Sequence, residues 1–266
     1  MNRRLILTAT GIVLALALAG CKGSGQKEDP ILRLSGPESL KQGKQFLGEK
    51  KYARARPYLN HAFEVEPNSA GGREALLLVA DSYYEDGGIE NFVRAEARYR
   101  DFLNRFPTSD KAPYAQFQIA NSLAERAAPP DRDQAPTRKA LTAYQDLVRL
   151  YPTSSYASKA HEKMGQVENT LAEHEWKVGR FYYRFGLYSA AVERFDYLVN
   201  HYPEYPATDR VLFFLGAAQL KSKHADKAQQ AFDRLRQDYP KSEYVAKIPK
   251  MPKKKKAADE KETEKG

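Results

Sequence analysis

The chain has 266 residues and a formal net charge of +9, with 42% hydrophobic and 29% charged residues. This apolar content is sufficient for a packed core, so a wholly disordered chain is excluded. The strongly apolar stretch is confined to the first twenty residues, which excludes a polytopic membrane protein. The single cysteine excludes an internal disulfide or a cysteine-based metal cluster.

The first residues have the features of a secretory signal peptide. Arg3 and Arg4 form a positive start, and an apolar run over residues 5–18 follows them. This run is too short to span a bilayer comfortably, but it has the proportions of the apolar region of a signal peptide. The sequence therefore predicts a signal peptide over residues 1–20.

A lipidation motif follows the apolar run. Residues 18–21 read Leu-Ala-Gly-Cys and resemble the lipobox of bacterial lipoproteins. The resemblance implies cleavage before Cys21, acylation of that residue and attachment to the membrane through the lipid. Lys22 in the next position favours the outer membrane, at its periplasmic face, over the inner membrane. Residues 21–37 are rich in Gly, Ser and Lys and are predicted to be a flexible tether.

Beyond the tether, apolar residues recur at spacings of three and four, which indicates helices. Prolines that end helical stretches recur at intervals of 37 to 51 residues, at Pro67, Pro107, Pro152, Pro203 and Pro240. An alanine stands twelve residues before each of them, at Ala55, Ala95, Ala140, Ala191 and Ala228. A second column of small residues lies upstream, at Gly43, Ala80, Ala120, Gly179 and Gly216. Small residues in matching columns allow two helices to approach closely.

This pattern resembles the tetratricopeptide repeat, a helix pair with small residues at the crossing and a closing proline. It predicts an all-α fold, a superhelical α-solenoid of about five repeats with a long connecting helix before repeat four. We expect repeats 1–3 over residues 38–155, the long helix and repeats 4–5 over 156–248, and a Lys-rich disordered tail over 249–266. Such a stack has a concave face that usually binds peptide or protein.

The sequence contains no motif that indicates catalysis. The five histidines lack metal-ligand spacing, and phosphate-binding and nucleophile-turn motifs are absent. We expect the histidines to lie at the surface, together with the carboxylates in Glu173-His174-Glu175. The prediction is a protein without enzymatic activity, metal or cofactor. Behind a signal peptide, the Lys-rich tail is not expected to bind nucleic acid.

Two stretches are similar to the BamD family, lipoproteins of the β-barrel assembly machinery. They run over residues 131–156, through Leu-Val-Arg-Leu-Tyr-Pro-Thr-Ser-Ser-Tyr, and over residues 171–194, from Leu-Ala-Glu-His-Glu to Ala-Ala-Val-Glu-Arg. The resemblance implies a scaffold that binds POTRA domains of the barrel-forming subunit BamA, other lipoproteins of the machinery and unfolded outer-membrane proteins. The alternative is another periplasmic tetratricopeptide lipoprotein, serving peptidoglycan, pilus or secretion machinery.

The resemblance also implies where partners bind. Arg194 matches an arginine of that family at the BamA interface, and its guanidinium could pair bidentately with a carboxylate. Trp176 and Arg180, one turn apart on the long helix, are further candidates for this interface, although packing is the ordinary role of such a tryptophan. For unfolded substrate, we expect the concave side of repeats 1 and 2. Tyr84 is the better candidate there and Tyr83 the weaker one, because Tyr83 occupies a core column.

Overall fold

The structure is a computed structural model that describes residues 29–251. In this range the chain forms ten α-helices and two short 3₁₀ turns. The helices are α1 (Gly36–Gly48), α2 (Tyr52–Val65), α3 (Ala70–Asp86), α4 (Ile89–Arg105), α5 (Ala112–Ala124), α6 (Ala135–Leu150), α7 (Ser155–Arg184), α8 (Tyr188–His201), α9 (Thr208–Lys221) and α10 (Ala225–Asp238). The 3₁₀ turns are Pro30–Arg33 and Val245–Lys247.

The helices pack in chain order as five pairs, and each helix contacts mainly the one before it and the one after it. The repeat prolines all lie just beyond the second helix of a pair, where a proline cannot continue the helix. Because each pair buries its apolar face only against its neighbours, stability comes from the stack as a whole. The predicted all-α solenoid of five tetratricopeptide repeats is confirmed.

The two columns of small residues lie where the helices of a pair cross. A Cβ atom added to Gly179 would lie 2.5 Å from Phe195 Cε1, and one added to Gly216 would lie 2.6 Å from Phe232 Cε1. The alanines of the column twelve residues before each proline have no exposed surface, namely Ala55, Ala95, Ala140, Ala191 and Ala228. At Gly43, Gly179 and Gly216, a large side chain from the partner helix therefore fills the space that the glycine leaves.

The predicted long helix before repeat four is also confirmed. α7 has 30 residues and joins two hydrophobic clusters. Val167 and Leu171 belong to the cluster of repeats 2 and 3, whereas Ala172 and Trp176 belong to the cluster of repeats 4 and 5. One continuous helix therefore fixes the two halves of the solenoid relative to each other.

The extended α5–α6 connection is packed against the stack. The side chain of Gln134, 1% exposed, donates from Nε2 to Pro129 O at 2.9 Å and to Arg132 O at 3.1 Å. His174 Nδ1 on α7 lies 2.7 Å from Pro130 O. These contacts hold the connection against the long helix, next to the residues that carry the family resemblance.

The structure describes only part of the two termini. Residues 1–28, with the signal peptide and Cys21, and residues 252–266 lie outside the described range. The predicted tether is too long at its carboxyl end, because a 3₁₀ turn occupies Pro30–Arg33 and α1 begins at Gly36. His61 is buried rather than at the surface, with Nε2 3.0 Å from Leu34 O. Within residues 29–251, no helix combines the length and the apolar character needed to cross a membrane.

Candidate protein-interaction surfaces

Arg194 lies on α8 and is anchored by a buried carboxylate. Its Nη1 donates to Glu175 Oε2 on α7 at 3.2 Å. The side chain of Arg194 is 45% exposed, whereas that of Glu175 is 9% exposed. Arg194 therefore compensates the buried charge of Glu175 with part of its guanidinium and presents the rest to solvent.

The surface prediction for Glu173-His174-Glu175 is wrong for Glu175, which is buried. The other two side chains are engaged elsewhere. Glu173 forms an ion pair with Arg210 and accepts a hydrogen bond from the Tyr205 hydroxyl. Three consecutive helical residues point in different directions, and here each of them meets a different element of the fold.

Trp176 is a core residue, which is the ordinary role of such a tryptophan, and its contact with a partner stays a prediction. It is 9% exposed, and its ring lies 5.6 Å from that of Phe195 and 5.3 Å from that of Phe214. Arg180 stacks on the same cluster, with Cζ 4.0 Å from the Phe214 ring centroid and 5.6 Å from that of Trp176. Partial burial lowers the pKa of Arg180. Trp176 thus supports Arg180 from inside the stack.

Tyr84 lines a cavity of about 370 Å³ between repeats 2 and 3 and the long helix. Phe117 from α5 and Tyr144 from α6 supply further aromatic surface, and Glu125 and Lys163 bring opposite charges to its lining. Burial, reinforced by the nearby Glu125 carboxylate, raises the pKa of Tyr84 to about 12. The Tyr84 hydroxyl is therefore neutral at physiological pH and can donate a hydrogen bond.

Tyr83 does not share this cavity. The guanidinium of Arg56 lies 4.0 Å from the Tyr83 ring, and Tyr83 lines a separate depression with Arg94 and Arg98. The two neighbouring tyrosines therefore do not form one site. The aromatic cavity lies between repeats 2 and 3 and α7, rather than in repeats 1 and 2 as expected from the sequence.

A buried polar network lies beneath this cavity. Asp81 Oδ1 accepts hydrogen bonds from the hydroxyls of Tyr99 at 2.6 Å and Tyr114 at 2.8 Å. Gln118 Nε2 donates to Tyr114 Oη at 3.2 Å, and Asn121 donates to Gln118. Burial raises the pKa of Asp81 although both hydroxyls favour its charged form. The network connects the cavity residue Asn121 to the core of repeat 2.

Elsewhere in residues 29–251, no three His, Cys, Asp or Glu side chains come together as a set that could hold a metal ion. The two candidate surfaces are built from aromatic rings, arginines and isolated carboxylates.

The family described as "Outer membrane lipoprotein" (YfiO) matches residues 36–222, and a tetratricopeptide repeat family matches residues 210–242. The chain belongs to the YfiO/BamD family. It is 28% identical to the outer membrane protein assembly factor BamD of Caulobacter vibrioides, over 80% of this chain and 70% of that one. It is 28% identical to BamD of Neisseria gonorrhoeae, over 90% of this chain and 93% of that one.

Similarity to BamD of Haemophilus influenzae is 26% identity, over 79% of this chain and 82% of that one. Among solved structures, the chain is similar to the TPR2AB domain of yeast Sti1 in complex with pHSP90, at 16% identity, with a TM-score of 0.42, covering 77% of this chain and 78% of that one.

Sequence reasoning placed Glu175 at the surface and did not single out Lys163. For Glu175 a signal exists, because it stands one turn before Gly179 and so lies on the buried face of α7. For Lys163 no local signal exists. It lines the cavity together with Tyr84 only because α7 packs on α5 and α6, which is a consequence of the stack.

Proposed function

We propose that this chain is a non-enzymatic, lipid-anchored scaffold for the assembly of outer-membrane proteins. Membership of the BamD family over residues 36–222 carries this proposal, since the relatives are named outer membrane protein assembly factors. Acylation at Cys21 would hold the stack at the periplasmic face of the outer membrane. Its partners would be a BamA-like barrel-forming subunit, other lipoproteins of the machinery and unfolded outer-membrane proteins.

Arg194 is the proposed contact with the POTRA domains of the barrel-forming subunit. A guanidinium has five N–H donors, and the contact to Glu175 engages one of its terminal nitrogens. The exposed remainder can pair bidentately with a carboxylate of the partner. Arg180, stacked on Phe214, supplies a second cation on the long helix.

Replacement of Arg194 by glutamine is expected to reduce the barrel-forming subunit that co-purifies with the membrane-extracted protein by roughly 30-fold, the effect of losing an interface hot spot. Glutamine is preferable to glutamate, since Arg194→Glu would set two carboxylates side by side with one of them buried. The measurement is affinity purification from the native envelope, followed by mass spectrometry.

Glu175 provides the control for this experiment. Glu175→Gln alone is expected to leave binding unchanged, and Glu175→Gln with Arg194→Gln should remain folded yet bind as weakly as Arg194→Gln. If the double variant recovers binding, Arg194 acts by compensating Glu175 and not as a contact. Recovery of peptidoglycan, pilus or secretion components without a barrel-forming subunit would instead support the alternative scaffold.

The Tyr84 cavity is the proposed site for an aromatic-ended segment of an unfolded outer-membrane protein. Its aromatic side chains can stack on such a residue, and the neutral Tyr84 hydroxyl can donate to a peptide carbonyl. Lys163, exposed at this cavity, can pair with the carboxylate at the end of the peptide.

Lys163→Gln is expected to weaken binding of an aromatic-ended peptide roughly tenfold, as for loss of a charge-assisted hydrogen bond. The effect should vanish for the same peptide with an amidated carboxyl end, in a fluorescence anisotropy titration. Lys159→Gln is the matched control, because Lys159 is exposed one turn earlier on α7 and does not line the cavity. Equal losses for both variants or for both peptides would argue against this site.

A further inference from the structure

The carboxyl end of α7 and the turn after it expose an apolar patch. Phe181 is 53% exposed, Phe185 is 63% exposed and Leu187 is 54% exposed. The rings of Phe181 and Phe185 lie 4.6 Å apart, so they form one continuous surface. These three residues are called the α7 tip below. Contiguous exposed apolar surface of this kind marks a site of contact with another molecule or with a membrane.

The charged residues nearest to the α7 tip along the chain are positive. Lys177 and Arg184 are exposed, and their spacing from Phe181 and Phe185 sets all four on one face of the helix. From Trp176 to Val192 the sequence contains three cations and no aspartate or glutamate. A surface that joins exposed apolar side chains to cations without any carboxylate is complementary to an apolar layer covered by negative charge.

We infer that the α7 tip contacts an anionic lipid surface, with Phe181, Phe185 and Leu187 at the acyl boundary and Lys177 and Arg184 at the lipid phosphates. Peripheral membrane contacts combine these residue types. The alternative is a protein partner, but leucine is under-represented among the residues that dominate the energetics of protein interfaces. The side chains of Phe and Leu also lack a polar group for a hydrogen bond to a partner.

This contact would orient the solenoid on the membrane. It is separate from the partner and substrate contacts proposed above, since neither the Arg194–Glu175 pair nor the Tyr84 cavity includes a residue of the α7 tip. Failure of either proposal would leave this inference open to its own test.

An environment-sensitive fluorophore tests the inference at a single position. The full chain carries Phe185→Cys as the labelling site and Cys21→Ser so that no second thiol is present. Leu150→Cys is the matched control, because Leu150 is similarly exposed, at 51%. Leu150 lies beside the first turn of α7, and the length of that helix, about 45 Å at 1.5 Å per residue, separates it from the tip.

With the chain bound to vesicles that contain phosphatidylglycerol, we expect blue-shifted emission and quenching by spin-labelled lipid at position 185 and neither at position 150. Lys177→Gln with Arg184→Gln is expected to lower the ratio of inserted to free tip roughly 30-fold, because each cation contributes about fivefold near an anionic surface. Both residues are exposed, so thermal unfolding should be unchanged.

Three outcomes would overturn the inference. The first is equal signals at positions 150 and 185. The second is an equal signal on vesicles of phosphatidylcholine alone, unaffected by the double substitution. The third is a signal at position 185 that requires added protein, which would assign the α7 tip to a protein interface.

Discussion

Gly179→Ala is expected to lower the free energy of unfolding of repeat 4 by about 2 kcal/mol, the cost of overfilling a packed core. The new Cβ would lie 2.5 Å from Phe195 Cε1, and Phe195 is fully buried against Trp176. The ring therefore cannot move aside without disturbing the cluster that supports Arg180. The gain in helix propensity from replacing glycine offsets only part of this cost.

Gly165→Ala in the same helix supplies the matched control. No atom lies within 4 Å of the Cβ position at Gly165, so this substitution is expected to stabilise the protein by about 0.5–1 kcal/mol through helix propensity alone. Urea unfolding followed by the fluorescence of the single tryptophan, Trp176, reports on this region. Destabilisation of similar size by both substitutions would show that close packing is not the reason for Gly179.

Asp81→Ala is expected to destabilise the protein by about 2–4 kcal/mol. It leaves the hydroxyls of Tyr99 and Tyr114 without their acceptor, and each unsatisfied buried donor costs about 1–3 kcal/mol. Relief of the buried carboxylate offsets part of this cost. The network continues through Gln118 to Asn121, so we also expect weaker peptide binding at the Tyr84 cavity.

Asp81→Asn separates the charge from the hydrogen bonds, since the amide retains an acceptor oxygen. Burial raises the pKa of Asp81, so its charged form is disfavoured in the folded protein. The stabilising contribution of the protonated carboxyl is fully present below its unfolded pKa. It is lost as the pH rises through the raised folded pKa.

Unfolding titrations across this pH range provide the check on both variants. Relative to Asp81→Asn, the unsubstituted protein should become less stable as the pH rises. A constant difference between these two proteins would show that Asp81 does not titrate in this range. Loss of stability in Asp81→Asn as large as in Asp81→Ala would show that the charge, and not the acceptor oxygen, holds the two tyrosines.

These interactions connect packing to the proposed binding sites. Gly179, Phe195 and Trp176 form the support for Arg180, whereas the Asp81 network supports the floor of the Tyr84 cavity. Each half of the solenoid thus has its own hydrophobic core cluster, and α7 contributes residues to both clusters. A substitution in one cluster is expected to affect mainly the site that this cluster supports.

The sequence by itself determined the repeat architecture. The alanine and glycine columns recur at similar distances from the closing prolines. They indicate where the two helices of one pair cross, and this crossing involves only residues of that pair. A helix crossing requires a small residue at one position, and this requirement is the same in every copy. For this reason five pairs and the long helix before repeat four could be predicted. Residues 131–156 and 171–194 indicated the family, whose model matches residues 36–222.

Only the tertiary structure decided which side chains face one another across repeats. Arg194 pairs with Glu175, and Trp176 packs in the core. Tyr84 lines a cavity together with Lys163, whereas Tyr83 lines a separate depression. Each of these outcomes depends on how successive pairs are stacked and on the course of α7. No periodic pattern encodes that rotation, because it is the sum of many contacts between residues far apart in the chain.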